Sequence, residues 1–224
     1  MPDFDLVIFD CDGVLIDSEV ISARMLIQEL RSYAVAVDIA YVARHFLGRS
    51  YSAVLSQIRT DFGVDLPDGF EADYRARLLA AFARDLRIMP GVAAVIDALA
   101  VPYCLATSSS PERLATSLQI VGLTQAFAGR CTTTSEVANG KPAPDIFLHA
   151  AGKMGADPAR CLVIEDSFSG IAAGLAAGMT VWRYVGGSHL HGLDLPPAAG
   201  ARPHREFASY GEFFHLSHGL GGKG

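Results

Sequence analysis

Four short apolar runs recur along the chain: Asp5–Phe9 (DLVIF), Tyr103–Ala106 (YCLA), Cys161–Ile164 (CLVI) and Thr180–Tyr184 (TVWRY). Runs of this length and composition are what strands buried on both faces show. Helical patterns lie between them. Pro111–Val121 opens with proline at a first-turn position and stops before Gly122, Asp145–Met154 stops near Gly155, and Ser169–Ala177 stops at Gly178. Strands alternating with helices of this length predict an α/β fold built on a doubly wound parallel sheet. The chain has 224 residues, half of them hydrophobic, which is enough for a core domain plus a small second one.

One segment breaks the alternation. From about Asp17 to Leu86 no strand pattern occurs. Val20, Ile21, Met25, Leu26 and Leu30 follow helical spacing, as do Val54, Leu55 and Ile58, and Phe70 to Phe82 reads as helical too. Breaks fall near Tyr33–Asp38, Gly48–Ser50 and Gly63–Gly69, and "MPGV" at Met89–Val92 restarts the α/β pattern. The expected division is a Rossmann-like α/β core of residues 1–15 and 89–224, with a helical unit of residues 16–88 inserted after the first strand and able to close over its end. No internal repeat is present. The tail Gly219–Gly224 (GLGGKG) is glycine-rich with no helix after it, so a disordered end is expected rather than a phosphate loop.

Carboxylates gather where the strands end. The first run leads into "FDCDGVLIDSE", Phe9–Glu19, which carries Asp10, Asp12 and Asp17 around Gly13. Such acids are costly at a buried strand end unless a cation or a ring of donors compensates them. In a doubly wound sheet, ligands bind at the carboxyl ends of the strands. Thr107–Ser110 follows the second run, Glu165–Ser167 follows the third, and Gly140-Lys141-Pro142 lies in the connection between those two. Carboxylates, hydroxyls and one lysine suit phosphate chemistry. The carboxylates can hold Mg²⁺, a hard cation that takes oxygen ligands. The hydroxyls, backbone N–H groups and lysine can hold phosphate oxygens. One aspartate can attack phosphorus, and a second can protonate the leaving oxygen and then activate water.

Other features exclude other classes. A net charge of -6 disfavours nucleic acid or an anionic membrane as partner. No signal peptide is visible, and no apolar run reaches the roughly 18 residues of a membrane span. Cys11, Cys104, Cys131 and Cys161 form no CxxC pair and read as reduced thiols, so a cytoplasmic protein is expected. Strand alternation turns Cys11 away from the side shared by Asp10 and Asp12. Cysteine phosphatase chemistry needs Cys-x5-Arg, and Cys104 meets Ser110 at that position. His189 and His191 lack an evident third metal ligand and read as part of a polar loop.

"FDCDGVLIDSE", "LATSSS", "NGKPAPDIF" and "VIEDSFSGI" together resemble the four motifs of the haloacid dehalogenase-like hydrolase superfamily. They are most similar to the β-phosphoglucomutase-like phosphatases, which carry a helical cap after the first strand. The resemblance spans Asp5 to about Gly187. It implies Asp10 as nucleophile and Asp12 as general acid/base, with the Asp12 backbone carbonyl on Mg²⁺. It implies Thr107 and the backbone around Ser108 on the transferring phosphoryl group, with Lys141 neutralising charge between nucleophile and phosphate. Asp166 would bind Mg²⁺ directly, and Glu165 would support it directly or through water. The cap would supply substrate contacts, with Arg49 in "FLGRS" and Arg24 as candidates for a second anionic group.

The chain departs from the mutase pattern, because Ser22 stands where the group's mutases carry a cap histidine and the cap arginine falls near Tyr51. Asp12 argues against the superfamily's dehalogenases, which lack it. The expected function is Mg²⁺-dependent hydrolysis of a small phosphorylated metabolite, a sugar or sugar-acid phosphate, by a monomer. The alternatives are a sugar phosphomutase and a non-catalytic sugar-phosphate-binding protein.

Overall fold

The computed structural model describes residues 3–46, 49, 51–192, 200–217 and 219–221. Six parallel strands form one sheet: β1 (Leu6–Phe9), β2 (Tyr103–Thr107), β3 (Cys131–Thr133), β4 (Cys161–Glu165), β5 (Thr180–Tyr184) and β6 (Arg205–Phe207). They lie in the order β3-β2-β1-β4-β5-β6. The helices are α1 (Glu19–Arg31), α2 (Ile39–His45), α3 (Tyr51–Phe62), α4 (Phe70–Asp85), α5 (Val92–Ala98), α6 (Pro111–Ile120), α7 (Asp145–Met154) and α8 (Phe168–Ala176). Phe9 of β1 pairs with Leu105 of β2 on one side and Ile164 of β4 on the other. The chain winds outward from β1 first one way and then the other. The crevice where the order reverses is where open sheets of this kind take ligands. Asp10 directly follows β1 and Glu165 ends β4, so both acids stand at that crevice.

Every residue of β1 and β4 is buried. Leu6 and Ile8 pack with Ile146, Phe147 and Ile171 from α7 and α8. Val7, Phe9 and Cys11 belong to the apolar cluster of the opposite face, with Val92 of α5 and Leu114 of α6. Alternation along the strand therefore does put Cys11 on the other side from its neighbours. Two strands went unpredicted. β3 and β6 are three residues each, too short for an apolar run to stand out. β6 is fixed by tertiary packing instead: Phe207 and Phe213 lie 6.3 and 5.7 Å, centroid to centroid, from Trp182.

The helical insertion carries α1 to α4 between β1 and β2. Its two chain crossings run side by side. Asp17 N donates to Arg87 O at 2.9 Å, Met89 N donates to Leu15 O at 2.9 Å, and Ile16 bridges Ile88 antiparallel. α4 packs on α1 and reaches α6 of the core. Leu26, Leu30, Leu78 and Phe82 are buried in one apolar cluster continuous with that side of the sheet. Two predicted breaks lie between α1 and α2 and between α3 and α4; the one near Gly48–Ser50 falls largely outside the described residues. Among the described residues no helix is long and apolar enough to cross a membrane.

The disordered tail is corrected over Gly219–Gly221. Leu220 is fully buried, its carbonyl accepts from Ala100 N at 2.8 Å, and Gly221 bridges Leu99. One leucine among the glycines anchors the segment, which composition alone conceals. Residues 222–224 lie outside the described residues.

α8 lies so close to the sheet that a Cβ on Gly174 would come within 2.7 Å of Val181 Cγ2. Alanine there gains about 1 kcal/mol of helix propensity, whereas overpacking against a stiff β-branched residue costs about 1–3 kcal/mol. Gly174→Ala is expected to lower stability by about 1 kcal/mol in urea unfolding; a stabilised variant would show that α8 can lift without cost.

Candidate active site

Lys141 is the centre of the polar crevice. Its side chain is fully buried. Nζ donates to Asp10 Oδ1 at 2.5 Å, to Glu165 Oε1 at 2.7 Å and to Ala106 O at 3.3 Å. All three ammonium protons are thereby used, and one side chain joins the ends of β1, β2 and β4. Burial alone would discharge the amine, but the Asp10 and Glu165 carboxylates outweigh it and hold Lys141 above the ordinary lysine range.

Glu165 is equally committed. Its Oε2 accepts from the backbone N–H groups of Asp166 (2.9 Å) and Ser167 (2.8 Å) and from Ser167 Oγ (2.9 Å). The carboxylate thus stands between Lys141 and the start of α8, and a Cβ on Gly170 would lie 1.6 Å from Oε1. Ser167 also caps α8 by accepting from Gly170 N at 3.1 Å. Asp10 is pushed well above the usual carboxylate range by burial; Lys141 opposes the shift, and Glu165, Asp166 and Asp12 add to it.

Asp12 occupies a different environment. Ser18 Oγ and Arg113 Nη2 donate to its Oδ1 at 2.5 and 2.6 Å, and Ser109 Oγ donates to Oδ2 at 2.6 Å. Burial raises its pKa, but the Arg113 charge and the hydrogen bonds from Ser109, Ser18 and Arg113 bring it below the ordinary value. Arg113 extends from α6 to the helical unit, with its guanidinium carbon 5.2 Å from the Phe82 ring centroid and Nη2 3.4 Å from Ser22 Oγ. Thr107, at the end of β2, is buried, and its Oγ1 accepts from Ser109 N at 3.1 Å. Ser110 caps α6, which leaves Thr107 out of that role.

One oxygen each of Asp10, Glu165 and Asp166 lies within 4.8 Å of the others. Asp12 contributes no side-chain atom to this group. Arg113 answers Asp12, and Lys141 stands between Asp10 and Glu165; among the described residues no lysine or arginine forms an ion pair with the Asp166 carboxylate, and Arg183 Nε reaches only its backbone carbonyl, at 3.2 Å. Asp166 is raised well above the usual range by burial and then by Glu165, and its buried Oδ2 has no hydrogen bond. An all-oxygen donor set with excess negative charge fits a hard divalent cation such as Mg²⁺. Gly13 is required beside it: its φ is +76°, and a Cβ there would meet Asp166 Oδ2 at 2.0 Å.

A cavity of about 330 Å³ lies between the sheet edge and the helical unit. Asp10, Asp12, Thr107, Ser108 and Arg113 line its core side, and Ser22, Arg49, Tyr51, Tyr74 and Arg75 its helical side. Arg49 Nη1 donates to His45 O at 3.3 Å and Gln57 Oε1 at 3.1 Å. Arg24 is exposed on α1 and does not line the cavity, because its helical position faces away from the core.

Sequence reasoning missed Arg113, Ser18, Ser109, Glu19 and Arg75. A basic residue in the first turn of α6, against the helix dipole, is the signal that marks Arg113. Glu19 lies against Asp12 and Arg113, and burial raises it to about 8. The placing of His189 in a polar loop is corrected: it is 4% exposed and sits against Asp166, because the turn carrying it folds inward onto Gly13. His191 is exposed.

A family model described as haloacid dehalogenase-like hydrolase matches residues 4–178. The 6-phosphogluconate phosphatase of Escherichia coli is 27% identical over 191 residues, covering 84% of this chain and 86% of its own length. A crystal structure of a haloacid dehalogenase-like protein of unknown function from Agrobacterium tumefaciens superposes with a TM-score of 0.79 at 32% identity, covering 95% of this chain and 97% of that one. A hydrolase of the family from Deinococcus radiodurans, crystallised with bound phosphate and sodium, gives a TM-score of 0.75 at 32% identity and 96% coverage of each chain. With the parallel sheet, the helical insertion and the carboxylate–lysine crevice in place, the match places this chain in the haloacid dehalogenase-like hydrolase family, as one of its phosphatases.

Proposed function

We propose that the protein is a Mg²⁺-dependent phosphomonoester hydrolase of the cytoplasm that acts on a sugar or sugar-acid phosphate through an aspartyl-phosphate on Asp10. The observation that carries this reading is the separation of two carboxylates that both line the cavity. Asp10 is bound to Lys141 and faces Glu165 and Asp166, whereas Asp12 is held apart by Ser18, Ser109 and Arg113. Carboxylates in such different surroundings can divide the work of nucleophile and proton carrier.

Asp10 attacks phosphorus in line, and the leaving oxygen takes its proton from Asp12. The arriving phosphate dianion, a like charge beside Asp12, favours the protonated carboxyl needed for that step. Thr107, the backbone at Ser108 and Lys141 hold the phosphoryl oxygens. Water then gives its proton to Asp12 and attacks the phosphoryl group, which frees Asp10. Asp10, Asp166 and, in support, Glu165 would hold Mg²⁺, whose contribution is to neutralise charge on the phosphoryl group. Residues 16–88 act as the cap that keeps bulk water out. Arg49 and Arg75, which is paired with Glu71, line the cap side of the cavity and would meet the substrate's far end; the name of the E. coli relative, a 6-phosphogluconate phosphatase, supports an acidic one. The cavity is at the small end of ligand sites, about 300–1,000 Å³ in general. A mutase gains no support, because Ser22 Oγ donates to Ser18 O and Tyr51 is a neutral wall residue.

Phosphate release from a panel of sugar, sugar-acid and nucleoside phosphates is expected with Mg²⁺ and lost with EDTA; release unaffected by EDTA would refute the metal dependence. Asp10→Asn is expected to lower turnover by at least ~10³-fold while cooperative unfolding is kept. Turnover near the native rate would remove Asp10 from the nucleophile's role. Arg113→Gln takes a positive neighbour and a donor from buried Asp12, so the pH at which Asp12 titrates is expected to rise. Carboxyl ¹³C NMR of aspartate-labelled protein, assigned with Asp12→Asn, reads that shift, and a fall would contradict the assigned electrostatics.

A further inference from the structure

The phosphoryl-transfer scheme leaves a buried histidine at the carboxylate cluster unused. His189 lies in the single turn Ser188–Leu190 after β5. Its Nε2 is 2.9 Å from Asp166 Oδ2 with side chains 2% exposed on both partners, yet the two atoms are not aligned as a hydrogen bond. Three buried polar atoms, Asp166 Oδ2 and both His189 ring nitrogens, therefore meet here without partners. Unpaired buried polar atoms cost free energy, and three of them around one carboxylate call for a compensating state.

The ring has little freedom to leave. A Cβ on Gly13 would lie 2.9 Å from His189 Cε1, and one on Gly187 would lie 2.6 Å from it. Ser188 anchors the turn to the entrance of the helical unit, donating from N and Oγ to Asp17 Oδ1 at 3.3 and 2.8 Å. Leu190 N closes the turn on Gly187 O at 3.1 Å, and the turn packs against α1 and α2. Two glycines thus make room for an imidazole that the fold presses against Asp166.

We propose that His189 is a positioning residue for Asp166: when a divalent cation is bound, its Nε2–H aligns with Oδ2, 2.9 Å away, and fixes the orientation of the carboxylate toward the cation. The inference rests on the metal reading of Asp10, Glu165 and Asp166. Ligating carboxylates are generally held by a hydrogen-bond partner behind them, and losing that partner weakens metal affinity by about 10–100-fold. Packing alone would need only the ring's volume. A donor role needs its N–H.

Mn²⁺ serves as the probe, with free ion followed by electron paramagnetic resonance in the intact chain without substrate. The native protein is expected to bind Mn²⁺ and Asp166→Asn to lose it. His189→Leu, which keeps bulk and loses the donor, is expected to bind about 10–100-fold more weakly, and His189→Gln, which keeps a donor, to recover part of the loss. If His189→Leu binds Mn²⁺ as tightly as the native protein while only its metal-free melting temperature falls, the ring is filler and the proposal is overturned. His189→Phe is scored in the same way if the leucine variant does not fold. Absence of Mn²⁺ binding by the native protein would overturn the metal reading and this proposal together, whereas binding lost in Asp166→Asn but unmoved at position 189 would overturn the proposal alone.

Discussion

One buried ammonium organises the polar sheet edge of this molecule. The Lys141 side chain is fully buried, and its three protons go to Asp10, Glu165 and the Ala106 carbonyl. Removing one partner of such a buried group leaves an uncompensated charge, a cost of about 3–5 kcal/mol in comparable pairs. The surrounding geometry follows from meeting that demand. Glu165 is held on its other side by the start of α8, Gly170 leaves its side open for the carboxylate, and the ends of β1, β2 and β4 are drawn to one point.

Asp12 escapes this cluster through Arg113. The guanidinium comes from α6 of the core, but it lies over Phe82 of α4 and within reach of Ser22 of α1. Ser18, just before α1, also binds Asp12. The Asp12 carboxylate is therefore held jointly by the core and by the start of the helical insertion. The groups that lower the pKa of Asp12 come from both sides of the contact between the sheet edge and the helical insertion: Arg113 and Ser109 from the core, Ser18 from the entrance to α1.

Much of the fold was legible in the sequence. DLVIF and CLVI announce two central strands because burial on both faces demands unbroken apolar runs. The extent of α7 follows from its apolar spacing and its closing glycine. β3 and β6 were not legible, since three residues carry no period, and β6 depends on a cluster around Trp182 formed by distant residues. Leu220 shows the same limit, because a buried anchor in a glycine-rich tail depends on what it packs against.

The site divides along the same line. Asp10, Asp12, Thr107, Lys141, Glu165 and Asp166 could be named from the sequence, because a parallel sheet brings the ends of its strands to one edge wherever the intervening chain goes. Their types suit phosphate chemistry, and their order resembles the motifs of the family. Which carboxylate pairs with which cation was decided only by tertiary structure. Arg113 is 101 residues from Asp12 and Lys141 is 131 from Asp10, and no local pattern encodes contacts at such separations. His189 reads as part of a polar loop until the turn that carries it is folded onto Gly13 and Asp166. Sequence spacing fixes the face or strand end a residue occupies, whereas burial and partners, which set charge and orientation, depend on the packing of the whole chain.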